Sequence, residues 1–124
     1  MRLTVVPGRF AVCRLGAQDP IPAPLLGARL VSITRTAAEL SIVCPEELAP
    51  AGARCESGWA WLALEGPIPF TATGIMSSLL APLAEARIGI FALSTYDTDA
   101  ILVKQAQLEG AVSALERAGH TVDR

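Results

Sequence analysis

Charged residues are scarce. They make up 18 % of this 124-residue chain, against about a quarter of an ordinary soluble domain, while 52 % of the residues are hydrophobic. So few charges leave apolar surface that a partner must cover, and the simplest partner is a second copy of the chain, a homodimer. A net charge of −2 without a Lys/Arg cluster argues against nucleic acid as a partner, and aromatics at 5 % give no base-stacking platform. No apolar run approaches the length needed to span a membrane, so none is expected as a partner. The opening MRLTVVPGRFAV is a poor signal peptide, because Pro7-Gly8 cuts its apolar run short. One histidine, His120, and three cysteines without CxxC spacing (Cys13, Cys44, Cys55) make a zinc site improbable, so no metal ligands are expected. The cysteines read as buried thiols of a cytoplasmic protein. Hydroxyls at Thr71, Thr73, Ser77 and Ser78 stand without a paired base, no GxSxG occurs, and GARCESG lacks the Lys-Ser/Thr ending of a phosphate loop. No catalytic residue and no cofactor is expected, and the chain does not read as an enzyme.

What the chain does have is repetition. PLLGAR (24–29) and PLAEAR (82–87) each precede a strand candidate, LVSITRT and IGIFALST. Each strand passes through a short polar link to a further apolar run, ELSIVCPEEL or DAILVKQAQL. Upstream of each lies a strand followed by a PIP turn: FAVCRLGAQDPIP (10–22) and WAWLALEGPIP (59–69). The second copy, 59–124, reads as complete. Trp59, Trp61 and Ala63 alternate with Ala60, Leu62 and Leu64 along a strand, with the two tryptophans read as packing residues. Thr73 is positioned to cap a helix over roughly 74–86, with Ile75, Leu79, Leu83 and Ala86 on one stripe and Pro82 kinking it or ending its first half. Strands over 87–94 and 99–104 follow, apolar on both faces. A helix over roughly 105–118 then buries Leu108, Val112, Leu115 and Ala118, and a short last strand covers 120–122. The expected class is α+β: two ferredoxin-like βαββαβ units in tandem. The first, within 1–58, lacks its first helix because 16–27 carries three prolines, and its second helix shrinks to a turn at Pro45–Leu48.

The tandem units, together with TGIMSSLLAPLAEARIGIFALSTYDTDAILV, resemble the ACT domain family, and in particular small stand-alone tandem-ACT proteins and cellular arginine sensors built from such units. The likeness is stronger over 59–122 than over 1–48. It implies a non-enzymatic regulatory or sensor protein that binds an amino acid at an interface between units and signals to a downstream protein partner. The alternative is a constitutive interaction or scaffolding domain with no ligand. Carried over from the family, the ligand contacts fall first on the loop after the strand of the second copy. That loop comprises Glu65, Gly66, Pro67, Ile68, Pro69, Phe70, Thr71, Ala72 and Thr73, and it leads into Gly74 and Ile75. Further contacts fall on Arg87, Ile88, Gly89 and Ile90 and on Ser94, Thr95 and the acid Asp99 of the hairpin.

The residues themselves allow two readings at each place. Asp97 and Asp99 can be turn acceptors, or Asp99, taken as the counterpart of Glu39 in the first copy, can receive an ammonium or guanidinium group. The Gly66–Gly74 loop can be a connector, or its helix start can receive a carboxylate on free backbone N–H groups. Arg87 and Arg29 can be ligand contacts or solvated strand-end charges.

Overall fold

The computed structural model describes residues 1–124. Its elements run β1 (Arg2–Leu15), β2 (Ser32–Arg35), β3 (Leu40–Pro45), β4 (Arg54–Leu64), α1 (Ile75–Glu85), β5 (Ile90–Ser94), β6 (Asp99–Lys104), α2 (Leu108–Arg117) and β7 (Thr121–Asp123). They divide into two compact units, Gly8–Trp59 and Met1–Pro7 with Ala60–Arg124.

In the Gly8–Trp59 unit the strands lie in the order β2-β3-β1-β4. β1 and β3 are antiparallel, with Ala11 opposite Cys44 and Cys13 opposite Ile42. Pro20, Pro22 and Pro24 remove backbone donors where a first helix would start, and only a 3-10 turn forms, Ala23–Gly27, burying Leu25. Pro45 likewise precedes a single 3-10 turn, Glu46–Leu48. Ala11, Cys13, Leu25, Leu40, Ile42 and Cys44 form this unit's core. The expectation of three free thiols is corrected here: Cys13 and Cys55 form a disulfide, with Cα atoms 4.1 Å apart. The pair sits on neighbouring strands 42 residues apart in sequence, so no short motif announces it. Cys44 is free and buried, and burial pushes its thiol up, aided by the charge of Glu47.

The other unit is the complete βαββαβ arrangement: β4, α1, β5, β6, α2, β7. Ala60, Leu62 and Leu64 on one face of β4 are buried with Leu79, Leu83, Ile101, Val103, Ala111, Val112 and Leu115 from the helices and β6. Residues 1–7 belong to this unit because Leu3, fully buried, adds to the same core. β7 pairs in parallel with Arg2–Thr4, and the Glu65 N–H donates to the Arg2 carbonyl at 2.9 Å.

Several details depart from the pattern in the sequence. Thr73 does not cap α1; Gly74 holds the cap position at φ 75°, without a side-chain cap. The helix continues through Pro82 to Glu85 rather than ending at its first half. Pro82 has no N–H for the Ser78 carbonyl, and His120 Nε2 donates to that oxygen instead, at 3.0 Å. Residues 87–89 do not extend β5, because Arg87 turns to φ 59° at the helix end. A 3-10 turn over Gln105–Gln107 delays α2 to Leu108, and Ala118 is exposed while Ala111 and Ala114 complete the buried stripe. No helix is long and apolar enough to cross a membrane.

Candidate functional site

The corner STYDTD, between two apolar strands, is a tight turn that clasps the loop following β4. β5 and β6 pair with Ser94 opposite Asp99. The Thr95 N–H donates to the Thr98 carbonyl at 2.8 Å, which lifts Tyr96 and Asp97 to the tip. Thr98 Oγ1 then donates to the Leu64 carbonyl at 2.8 Å, and the Ile68 N–H donates to the Asp97 carbonyl at 2.7 Å. Gly66 lies in the crossing: a Cβ there would stand 2.9 Å from Thr98 Cβ and 3.0 Å from the Asp97 carbonyl oxygen. Only a residue without a side chain lets the loop pass so close.

A cavity of about 320 Å³ opens between the clasped segments. Ile68, Pro69, Phe70 and Ala72 line it from the loop, Gly74, Ile75 and Met76 from the start of α1, and Ser94, Thr95, Tyr96, Thr98 and Asp99 from the hairpin. Phe70 and Tyr96 meet edge to face with centroids 5.0 Å apart, although 75 % and 81 % exposed. Asp99 is the only charged lining residue, and its Oδ1 accepts the Ser94 hydroxyl at 2.6 Å. The start of α1 lines the same cavity; it has no side-chain cap and no acid in its first turn, and its Gly74 carbonyl takes the first helical bond from Ser78. The N–H groups of the intervening residues therefore have no acceptor within the helix, and the helix dipole favours an anion there. The arrangement offers one anionic group, one patch of backbone donors and an apolar wall.

Of the residues expected from the sequence, Ile68, Phe70, Gly74, Ile75, Ser94, Thr95 and Asp99 line this cavity, together with Pro69 and Ala72. Gly66 stands behind it, and Pro67, Thr71 and Thr73 belong to the loop without lining it. Glu65 turns to Arg2 at 3.7 Å. Arg87, Ile88, Gly89 and Ile90 follow the far end of α1, where Ile88 is buried in the core and Ile90 packs against it. Met76, Tyr96 and Thr98 line the cavity without having been singled out. Met76 lay one position past the expected loop, and Tyr96 and Thr98 were in the hairpin motif itself.

The equivalence between Asp99 and Glu39 is corrected by one position. In the first copy the Thr36 N–H donates to the Glu39 carbonyl at 2.9 Å, as Thr95 does to Thr98, and Arg35 pairs with Leu40 as Ser94 does with Asp99. Glu39 therefore matches Thr98, and fully buried Leu40 stands where Asp99 does.

Residues 54–117, just over half of the sequence, match the ACT domain. The chain belongs to the ACT domain family. A separate family, described as an N-terminal domain, matches residues 8–52. This ACT protein is 32 % identical over 100 residues to the "Cytosolic arginine sensor for mTORC1 subunit 1" of Bos taurus, covering 72 % of this chain but 30 % of that protein. It thus spans about a third of that relative's length. A crystal structure of a protein from Agobacterium tumefaciens superposes with a TM-score of 0.91 at 41 % identity, covering 98 % of this chain and 90 % of that one. The regulatory subunit of aspartate kinase from Thermus thermophilus shares the fold, with a TM-score of 0.61 at 9 % identity over 90 % and 93 % of the two chains. The ACT domain here is thus shared with an arginine sensor, and its fold with the regulatory subunit of a kinase.

Proposed function

We propose that this ACT protein is a non-enzymatic, homodimeric amino-acid sensor that reports ligand binding to a downstream protein partner. The observation that carries this reading is the cavity between the Gly66–Gly74 loop and the hairpin, with Asp99 and the uncapped start of α1 both in its lining. An α-amino acid carries one cation and one anion on a single carbon. Asp99 would take the ammonium, a charge-assisted bond contributing about 1.5–3 kcal/mol, and the α1 N–H groups would take the carboxylate. The cover over the exposed Phe70 and Tyr96 is a second copy of the chain, which would place the ligand at an interface.

Thermal melting against the twenty amino acids tests the reading. A ligand bound only by the folded protein stabilises it by about 2.7 kcal/mol at a hundredfold excess over Kd, a shift of several degrees. Asp99→Ala should abolish the shift. Asp97→Ala should leave it intact, because Asp97 holds the loop through its backbone carbonyl. If no amino acid shifts melting at millimolar concentration, or if Asp99→Ala binds as well as the parent, the sensor reading is wrong.

A further inference from the structure

We infer that the protein carries a second small-molecule site, for a zwitterion whose cation and anion stand several bonds apart. A cleft of about 260 Å³ opens where the C-terminal ends of α1 and α2 lie side by side. Pro82, Glu85 and Ala86 line it from one helix, and Ala114, Arg117 and Ala118 from the other. Its two charged side chains are opposite in sign, yet neither makes an ion pair or hydrogen bond, with the other or elsewhere in the chain. Arg117 stands in the last turn of α2, where a cation suits the helix dipole. Glu85 has no such reason. It is the final residue of α1, which has no base in its last turn, so an acid sits at the negative end of a helix. A cation supplied from outside would meet both that carboxylate and the dipole end. The backbone adds little, because the Pro82 and Ala114 carbonyls already take the Ala86 and Ala118 N–H groups, at 3.1 and 3.2 Å. The polar contacts therefore fall to one carboxylate and one guanidinium, and the guanidinium can hold a carboxylate through two parallel bonds.

Size and spacing narrow the occupant. A stable protein interface engages about 20–30 residues a side. Six residues, four of them alanine or proline, fall far short, so the cleft suits a small molecule. The second copy proposed above covers Phe70 and Tyr96, beyond the other end of α1. Packed helices lie about 8–10 Å apart, axis to axis, and the two charges, one on each helix, stand too far apart to pair directly. An α-amino acid, with both charges on one carbon, spans that gap poorly. An ω-amino acid or a dipeptide spans it. The site is thus independent of Asp99 and takes a different class of ligand.

Nuclear magnetic resonance of the isotope-labelled full chain, titrated with glycine, β-alanine, γ-aminobutyrate and diglycine, tests the inference. At least one of the last three should shift the Ala86 and Ala118 amide signals saturably, and bind roughly tenfold or more tightly than glycine. Butyrate and butylamine, with one charge each, should bind roughly tenfold more weakly than the best zwitterion. Glu85 and Arg117 are exposed, so Glu85→Gln and Arg117→Gln should keep the circular dichroism spectrum while each weakens binding roughly tenfold. Asp99→Ala should bind as the parent does. The site is refuted if no zwitterion moves those signals at tens of millimolar, if glycine binds as tightly as the longer ones, or if binding survives in both variants. Signals that move with protein concentration alone mark the cleft as a face between copies, and refute it too. Saturable shifts here with silence at the hairpin would leave this site standing while the sensor reading falls.

Discussion

Replacing Gly66 with alanine adds one methyl group at the point where the loop crosses the hairpin. The new Cβ would lie 2.9 Å from Thr98 Cβ and 3.0 Å from the Asp97 carbonyl oxygen. Neither neighbour yields freely: Thr98 Oγ1 is bonded to the Leu64 carbonyl at 2.8 Å, and the Asp97 carbonyl to the Ile68 N–H at 2.7 Å. Relief must move backbone, and overpacking of this kind costs about 1–3 kcal/mol. Stiffening the unfolded chain returns about 0.4–1 kcal/mol, so Gly66→Ala should lose about 1–2 kcal/mol net. At about 2.1 cal/mol/K per residue, unfolding 124 residues carries roughly 0.26 kcal/mol/K, and the expected fall in Tm is roughly 4–8 °C. Gly89→Ala is the control, because a Cβ at Gly89 meets nothing within 4 Å. It should melt at or slightly above the parent. Circular dichroism melting of both variants against the parent reads the difference. The reasoning is refuted if Gly66→Ala melts within about 1 °C of Gly89→Ala.

The Cys13–Cys55 disulfide closes a 42-residue separation, for which the chain-entropy account gives up to about 4 kcal/mol. Cys55→Ser, or reductant on the parent, should lower Tm by roughly 10 °C or more; an unchanged Tm would mean that the bond does not form. In the same samples Cys44 should stay unlabelled by iodoacetamide until the chain unfolds, because burial raises its thiol and blocks access. Light scattering on the eluting gel-filtration peak should report twice the 13.0 kDa chain mass, and a clean monomer mass at micromolar concentration removes the second copy from the proposal.

Much of the fold was legible because the buried residues follow strand and helix periods. Ala60, Leu62 and Leu64, and then Leu79 and Leu83, stand in the core where that spacing puts them. The loss of helices from the first copy was legible too, since prolines act locally on the backbone. What escaped were facts set by strand register and by contacts distant in sequence. The disulfide joins two neighbouring strands. The match of Glu39 to Thr98 rather than Asp99 depends on which residue closes each turn. The resemblance puts contacts on Arg87–Ile90 as well as on the loop, and between the two lies the 11-residue α1, a helix whose length spans about 16 Å. The contact of Tyr96 with Phe70 escapes a linear reading, because nothing in the sequence brings the two rings together.

The polarity of the hairpin therefore has two causes, which separate residue by residue. Thr95 and Thr98 are occupied in closing the turn and clasping the loop, with Thr98 Oγ1 on the Leu64 carbonyl and the Thr98 carbonyl on Thr95. Asp97 contributes a backbone carbonyl, so its side chain could be any residue that tolerates the tip. Ser94 steadies Asp99 from across the strand pair. Tyr96 meets Phe70 of the loop edge to face. That leaves Asp99 as the cavity-lining hairpin side chain for which the clasp provides no reason. The first copy closes the same turn with Thr36 and Glu39 but puts buried Leu40 at the Asp99 position. A turn can thus be built without the acid. The acid is an addition to the turn, placed where a strand begins and a cavity opens, and that placement is the physical ground on which the proposed sensor reading rests.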